Sequence, residues 1–237
     1  MPPAAVLLDA GGVFMLPDER RLVDAFARAG CTVPASALTE AHFRGATAFS
    51  TDVDVTADWA APWMRYLGAY LEACGVPPEQ LEEAHRHIDS EFADAGLWVE
   101  EIPGCRTGLR ALADTGVRLG IVSNADGLVG QRLAEMEICQ VGPGIGVPLE
   151  CVIDSGNVGI MKPDPRIFRA ALDVMGLDVT GIDADDVWYV GDMPAIDVVG
   201  ARAAGLRPFL VDPFHLHDDA DYDRVADLAE VAGLVAG

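Results

Sequence analysis

Four short stretches of this 237-residue chain place chemically capable side chains where apolar runs stop. Ala4–Asp9 (AAVLLD) ends in a carboxylate and continues Ala10-Gly11-Gly12-Val13. Val117–Ser123 (VRLGIVS) ends in a hydroxyl, followed by the amide of Asn124. Lys162, the only lysine in the chain, stands within Gly159-Ile160-Met161-Lys162-Pro163-Asp164-Pro165-Arg166-Ile167-Phe168. Val187–Asp192 (VWYVGD) ends in Gly191-Asp192, and Asp197 follows five residues later. Any one of these has a plain explanation, because acidic and hydroxyl residues often cap the helix after a strand. Four in this order are hard to obtain from capping alone. Carboxylates, a hydroxyl and a lone cation are the materials of nucleophilic and metal-assisted chemistry.

The elements that must position these groups can be read from hydrophobic pattern. Ala4–Asp9, Val117–Ser123, Cys151–Asp154, Val187–Asp192 and Arg207–Val211 are short apolar runs of the kind found in parallel strands. Helical patterns lie between them at Cys105–Asp114, Pro165–Met175 and Pro194–Ala204, stopping at or before glycine. Alternation of this kind predicts an α/β domain, a parallel sheet with helices on both faces. The stretch from Asp18 to Gly96 has no convincing strand and four helical candidates: Asp18–Ala29, Pro34–Ala48, Thr56–Ala73 and Pro78–Ala95. On the third, Trp59, Trp63, Tyr66 and Tyr70 form an aromatic stripe, read as buried within the helical module rather than as a ligand-stacking face. An all-helical insert directly after the first strand is expected to cap the carboxyl ends of the sheet, where such folds bind ligands.

With these features in place, the chain resembles the haloacid dehalogenase-like (HAD) hydrolase superfamily, in its branch with a helical cap after the first motif. The resemblance rests on Leu7-Leu8-Asp9-Ala10-Gly11-Gly12-Val13, Ile121-Val122-Ser123-Asn124, Gly159 to Phe168 around Lys162, and Val190-Gly191-Asp192 through Asp197. It implies a Rossmann-like core, Asp9 as nucleophile, Ser123 and Asn124 on the transferring phosphate, Lys162 as the catalytic and phosphate-binding cation, and a Mg²⁺ site. Asp9, the Gly11 carbonyl, Asp192 and Asp197 are its implied metal residues. The physical chemistry agrees: Asp9 can form an aspartyl-phosphate that water hydrolyses. Asp9 and Asp192 brought together without a cation would repel, and a hard oxygen-seeking Mg²⁺ relieves that repulsion.

One position departs from the family pattern. Phosphatases of this superfamily carry a second Asp two residues after the nucleophile, as general acid and base, and here that position is Gly11. Such help is commonly worth about 10²- to 10⁴-fold. Three outcomes stay open: a phosphatase of small phosphorylated metabolites whose leaving groups need little protonation, or which borrows an acid from the cap or substrate; a 2-haloacid dehalogenase; or a catalytically weak binding or regulatory protein. Phosphonate cleavage is excluded, because the cap lacks the lysine a Schiff base needs. Dehalogenases lack the second Asp too, yet need no Mg²⁺ and are depleted in the fourth motif's carboxylates, both of which are present here. Arg44 is the cap's candidate carboxylate binder, with a solvated surface arginine as the simpler reading. The phosphatase leads.

Composition sets the outer bounds. Sixteen basic against 38 acidic residues give a formal charge of −22, which repels phosphate backbones and anionic lipid, so nucleic-acid and membrane partners are not expected. With 51% apolar residues the chain can build a full core. No stretch approaches the apolar length of a membrane helix, the N-terminus does not read as a signal peptide, and five scattered cysteines suit reduced thiols. A cytoplasmic protein is expected. Gly142–Pro148 reads as a loop rather than a dinucleotide fingerprint, His215 to Asp219 as a solvated acidic loop, and Asp218–Asp227 as a solvated helix with a flanking loop. The expected domains are a core, Met1–Leu16 with Trp98–Gly237, and a cap, Pro17–Leu97.

Overall fold

The computed structural model describes residues 2–51, 59–177 and 186–237. The chain forms two compact units, Met1–Phe14 with Ile102–Gly237, and Met15–Glu101. The expected boundaries at residues 16/17 and 97/98 would cut through an antiparallel pair, Met15–Pro17 with Trp98–Glu101. Division therefore falls just outside that pair. Both crossings leave the first unit at one place, where the Ile102 N–H donates to the Phe14 carbonyl at 3.0 Å.

In the first unit six parallel strands lie in the order Asp223–Val225, Arg207–Val211, Val187–Gly191, Ala5–Leu8, Arg118–Ser123, Cys151–Asp154. Ala5–Leu8 and Val187–Gly191 are buried at every position, as strands covered on both faces must be. Ala5, Leu7, Val187 and Tyr189 share a cluster with Ile167, Phe168, Ala171 and Leu172 of the helix Pro165–Val174. Asp164 caps that helix by accepting from the Arg166 N–H, and Pro165 opens it. The alternate residues Val6 and Leu8 point by strand periodicity to the opposite face and are also fully buried.

The strand order reverses at Ala5–Leu8: the chain builds outward through Arg118–Ser123 and Cys151–Asp154, then returns to the other side with Val187–Gly191. Open parallel sheets bind ligands at the carboxyl ends beside such a reversal. Register makes the ends level, since Leu8 lies beside Ile121 on one side and Val190 on the other. Asp9 and Asp192 therefore emerge from the two strands that flank the switch.

Two expectations need correction. Asp223–Val225, read as part of an acidic helix, is the edge strand, paired with Phe209–Val211; Asp223 meets Arg207 at 2.8 Å, and only the following Leu228–Ala236 is helical. Pro194–Ala204, read as one regular helix, opens with a π turn over Pro194–Val198 before the α-helix Val199–Ala203. Widening at that turn accompanies an Asp197 carboxylate folded back onto the Asp192 and Met193 N–H groups, and π turns of this kind often mark functional sites.

The second unit contains the helices Glu19–Arg28, Leu38–Phe49, Ala60–Ala73 and Leu81–Phe92 beside the strand pair. The expected start of the third at Thr56 lies outside the described residues. Its aromatic stripe is packed inside the unit: Trp63 stacks on Tyr66 at 4.8 Å, and Phe92 meets Trp63, Tyr66 and Tyr70 edge-on. Trp59 lies edge-on to Phe49 at 5.9 Å. A Cβ on Gly45 would come within 2.8 Å of the Tyr66 ring, so a glycine there sets how closely Leu38–Phe49 and Ala60–Ala73 approach. Among the described residues no helix is long and apolar enough to cross a membrane, and all five cysteines are free and buried.

Candidate active site

Asp9, Lys162, Asp192 and Asp197 converge at the switch in the sheet. The first strand delivers Asp9, whose N–H is held by the Val190 carbonyl at 2.8 Å. Asp192 follows Gly191, and Asp197 comes back from the π turn. The ligand atoms of Asp9, Asp192 and Asp197 lie within 4.8 Å of one another, and this is the only such group among the described residues. The His215 to Asp219 segment forms none; there the Asp212 carboxylate accepts from the Leu216 and His217 N–H groups.

Lys162 is 1% exposed, which an ammonium tolerates only when its donors are all used. Its Nζ lies 2.7 Å from Asp9 Oδ2, 2.8 Å from Asp197 Oδ1 and 2.7 Å from the Tyr189 hydroxyl. Burial works against the charge on Lys162, but Asp197 and Asp9 outweigh it and raise its pKa above the ordinary value. Asp9 goes the other way. Burial is the largest influence, Lys162 only partly offsets it, and Asp197 and Asp192 add to it, so the Asp9 carboxyl is pushed up to about 6.

Asp197 has little left to offer. Its Oδ1 accepts from Lys162 Nζ and, at 3.1 Å, faces the Tyr189 hydroxyl; its Oδ2 accepts from the Asp192 and Met193 N–H groups at 3.0 and 2.8 Å. It therefore supports Lys162 and the loop carrying Asp192. Asn124 is likewise committed. Its Nδ2 donates to the Lys162 carbonyl at 3.0 Å and its Oδ1 accepts from the Lys162 N–H at 2.7 Å. The side chain that the resemblance places on a phosphate clamps the main chain of Lys162. Ser123 is buried at the end of its strand, one residue beyond the level of Asp9. Gly11, two residues after Asp9, immediately precedes the turn over residues 12–14.

Three contributors were not given a role from sequence. Gly12 has φ +65, and a Cβ there would fall 2.2 Å from Asp192 Cγ, so glycine is required for both conformation and space. A Cβ on Gly191 would meet Asp197 Cγ at 2.4 Å. Tyr189 reads in sequence as one more core residue of an apolar strand; the signal for it is that a phenol in a fully buried strand must find a partner. In the other unit, Arg44 is paired with Glu40 at 2.7 Å and half-exposed, the solvated surface arginine that was the simpler reading.

The donor set suits a hard divalent cation. Three buried carboxylates face one ammonium, an excess of negative charge that oxygen-seeking Mg²⁺ would balance. A family model described as a haloacid dehalogenase-like hydrolase matches residues 3–205. A phosphoserine phosphatase of Thermus thermophilus is 33% identical over 184 residues, covering 76% of this chain and 68% of that protein. Among solved structures, a HAD phosphatase from Thermococcus onnurineus superposes with a TM-score of 0.54 at 21% identity, covering 98% of each chain. A 2-haloacid dehalogenase from Pseudomonas syringae gives 0.54 at 23% identity, covering 99% of this chain and 98% of its own. The fold is thus shared by phosphatases and dehalogenases alike.

Proposed function

This chain belongs to the haloacid dehalogenase-like hydrolases, and within them we propose that it is a Mg²⁺-dependent phosphatase of small phosphorylated metabolites acting through Asp9. The observation that carries this reading is Asp192, a further buried carboxylate beside Asp9 and Asp197. Lys162 can neutralise only one of the three charges. A displacement of halide without a cation gains nothing from a third carboxylate, whereas a metal-assisted phosphoryl transfer needs it. The likeness to the Thermus phosphatase points the same way.

Asp9, Asp192 and the Gly11 carbonyl would hold Mg²⁺, with Asp197 adding its charge from behind. When bound, the ion neutralises phosphoryl oxygens and relieves the repulsion between the carboxylates. The Asp9 carboxylate attacks phosphorus, the bond from phosphorus to the leaving oxygen breaks, and an acyl phosphate forms on Asp9. Water then attacks that phosphorus, releasing inorganic phosphate and the carboxylate. Lys162 and the Ser123 hydroxyl meet the transferring oxygens, while Asn124 keeps Lys162 in place. Gly11 supplies no proton, so the leaving group departs with its charge, and substrates with stable leaving anions are favoured. Substrate choice belongs in this reading to the helical unit, Met15–Glu101, acting as a cap, and the enzyme works in the cytoplasm.

The test is Mg²⁺-dependent phosphate release from acetyl phosphate and from an alkyl phosphate, with Asp9→Asn as control. Acetyl phosphate should turn over and Asp9→Asn should not; the alkyl phosphate should lag by up to the 10²- to 10⁴-fold, roughly, that general acid help is worth. Release from neither, with halide freed from a 2-haloacid, would make the protein a dehalogenase. Ligand-dependent stabilisation without any turnover would make it a binding protein, the reading that the absent acid at Gly11 keeps open.

A further inference from the structure

The Lys162 ammonium has three N–H bonds and three partners, and two of those lie on its core side. Tyr189 comes from the strand Val187–Gly191 and Asp197 from the π turn that follows it. The third partner, Asp9 Oδ2, is the proposed nucleophile. We propose that Tyr189 is a positioning residue that, together with Asp197, fixes the rotation of the Lys162 ammonium so that its remaining N–H is aimed at Asp9. This builds on the phosphatase reading but concerns a residue outside its four sequence motifs.

The surroundings of the phenol are built for that task. Its hydroxyl accepts from Lys162 Nζ at 2.7 Å and lies 3.0 Å from the Val122 carbonyl and 3.1 Å from Asp197 Oδ1. Its single proton therefore has an acceptor on either side, and the lone pairs remain turned to the ammonium. Phe168 packs edge-on against the ring at 4.8 Å, and the residue is fully buried. As a neutral acceptor Tyr189 satisfies a buried cation without adding a fourth negative charge to the cluster. Asn124 fixes the main chain of Lys162 from the other direction. Backbone and ammonium are thus held separately, and the side chain between them has no freedom to turn its charge from Asp9.

Removing the hydroxyl takes away direction and leaves the charge. Tyr189→Phe should lower kcat on acetyl phosphate about five- to tenfold, the scale of one hydrogen bond, and leave KM within about twofold. A second readout does not depend on turnover. Because Lys162 is the only lysine, metal-free protein grown with ¹⁵N-lysine gives a single ammonium signal. It should be sharp and slow to exchange with water in the native protein. In Tyr189→Phe it should shift and exchange faster.

An unchanged ammonium signal overturns the proposal whatever happens to kcat. A changed signal with unchanged kcat overturns it too, because the hydroxyl would then hold Lys162 without serving the reaction. If Tyr189→Phe does not fold, difluorotyrosine at position 189 keeps the ring and weakens the hydroxyl as an acceptor, with the same two readouts. If the native protein hydrolyses neither phosphate, the phosphatase reading fails separately. The ammonium signal then decides alone whether Tyr189 holds Lys162.

Discussion

Replacing the proposed nucleophile should make the metal-free protein more stable. Asp9 is pushed from 3.8 up to about 6, chiefly by burial, with Asp197 and Asp192 adding to the effect and Lys162 only partly opposing it. The folded protein holds the Asp9 proton more tightly than the unfolded chain does. Stability from this group is therefore full below about pH 4, falls as pH rises through 6, and is lost above it. A rise of about two pH units corresponds to roughly 3 kcal/mol. Asp9→Asn keeps the size of the side chain and removes the penalty. In excess EDTA near neutral pH it should unfold about 3 kcal/mol later, a rise in Tm of roughly 6–12 °C for a chain of this length. The gain should shrink towards zero as the pH approaches 4. Urea titrations across that range, read by circular dichroism, measure it directly. Mg²⁺ should close the gap and then reverse the order, since a ligand adds about 2.7 kcal/mol at a hundred times its Kd and about 4.1 kcal/mol at a thousand times to the protein that binds it. An Asp9→Asn protein less stable than the native one in EDTA at neutral pH would refute the reasoning, because attraction to Lys162 would then exceed the burial penalty.

Other substitutions test neighbouring parts of the structure. Gly12→Ala should abolish the Mg²⁺-induced rise in Tm and lower stability by about 2 kcal/mol or more, since its Cβ would fall 2.2 Å from Asp192 Cγ at φ +65; thermal scans with and without Mg²⁺ check both. Among the described residues the buried Tyr70 hydroxyl has no hydrogen-bond partner, so Tyr70→Phe should raise the unfolding free energy by about 1 kcal/mol; a comparable loss in urea would show that the hydroxyl is used. Burial pushes Glu91 up, but hydrogen bonds from Arg21 and Arg28 outweigh it and hold the carboxyl below its usual 4.5. Glu91→Gln should therefore lose stability near neutral pH, by about 0.5–1 kcal/mol given the exposed arginines. That loss should vanish as acidification protonates the native Glu91.

The site was legible in the sequence wherever chemistry coincided with the end of an apolar run. Asp9, Ser123 and Asp192 stand out because strand pattern and residue type change together, and parallel register then brings their strand ends together; Lys162, which lies on no strand, stands out as the chain's only lysine. Side-chain commitments were not legible. Asn124 and Asp197 have the right residue types for a ligand contact, yet each spends its polar atoms on Lys162 or on backbone N–H groups. Tyr189 was hidden for the opposite reason, since a tyrosine in an apolar strand is indistinguishable from core until its hydroxyl is located. Asp223–Val225 escaped because a three-residue strand with one buried position carries no periodicity, and its charged residues read as surface. The edges drawn from sequence differ by a few residues from the division into compact units, because Met15–Pro17 and Trp98–Glu101 are too short to announce a pairing across the 80 residues between them.

That pairing, and the hydrogen bond from Ile102 to Phe14 just outside it, have a consequence for how such a protein can change over evolutionary time. In the host domain the two chain ends that carry the insert lie side by side. Loop closure depends weakly on the length of the loop being closed, so a host whose ends already meet is indifferent to what is spliced between them. A module can be lengthened, exchanged or reduced to a turn at this socket without altering a strand of the sheet. The sheet with its cluster around Lys162 and the module at the socket can then vary as separate cassettes.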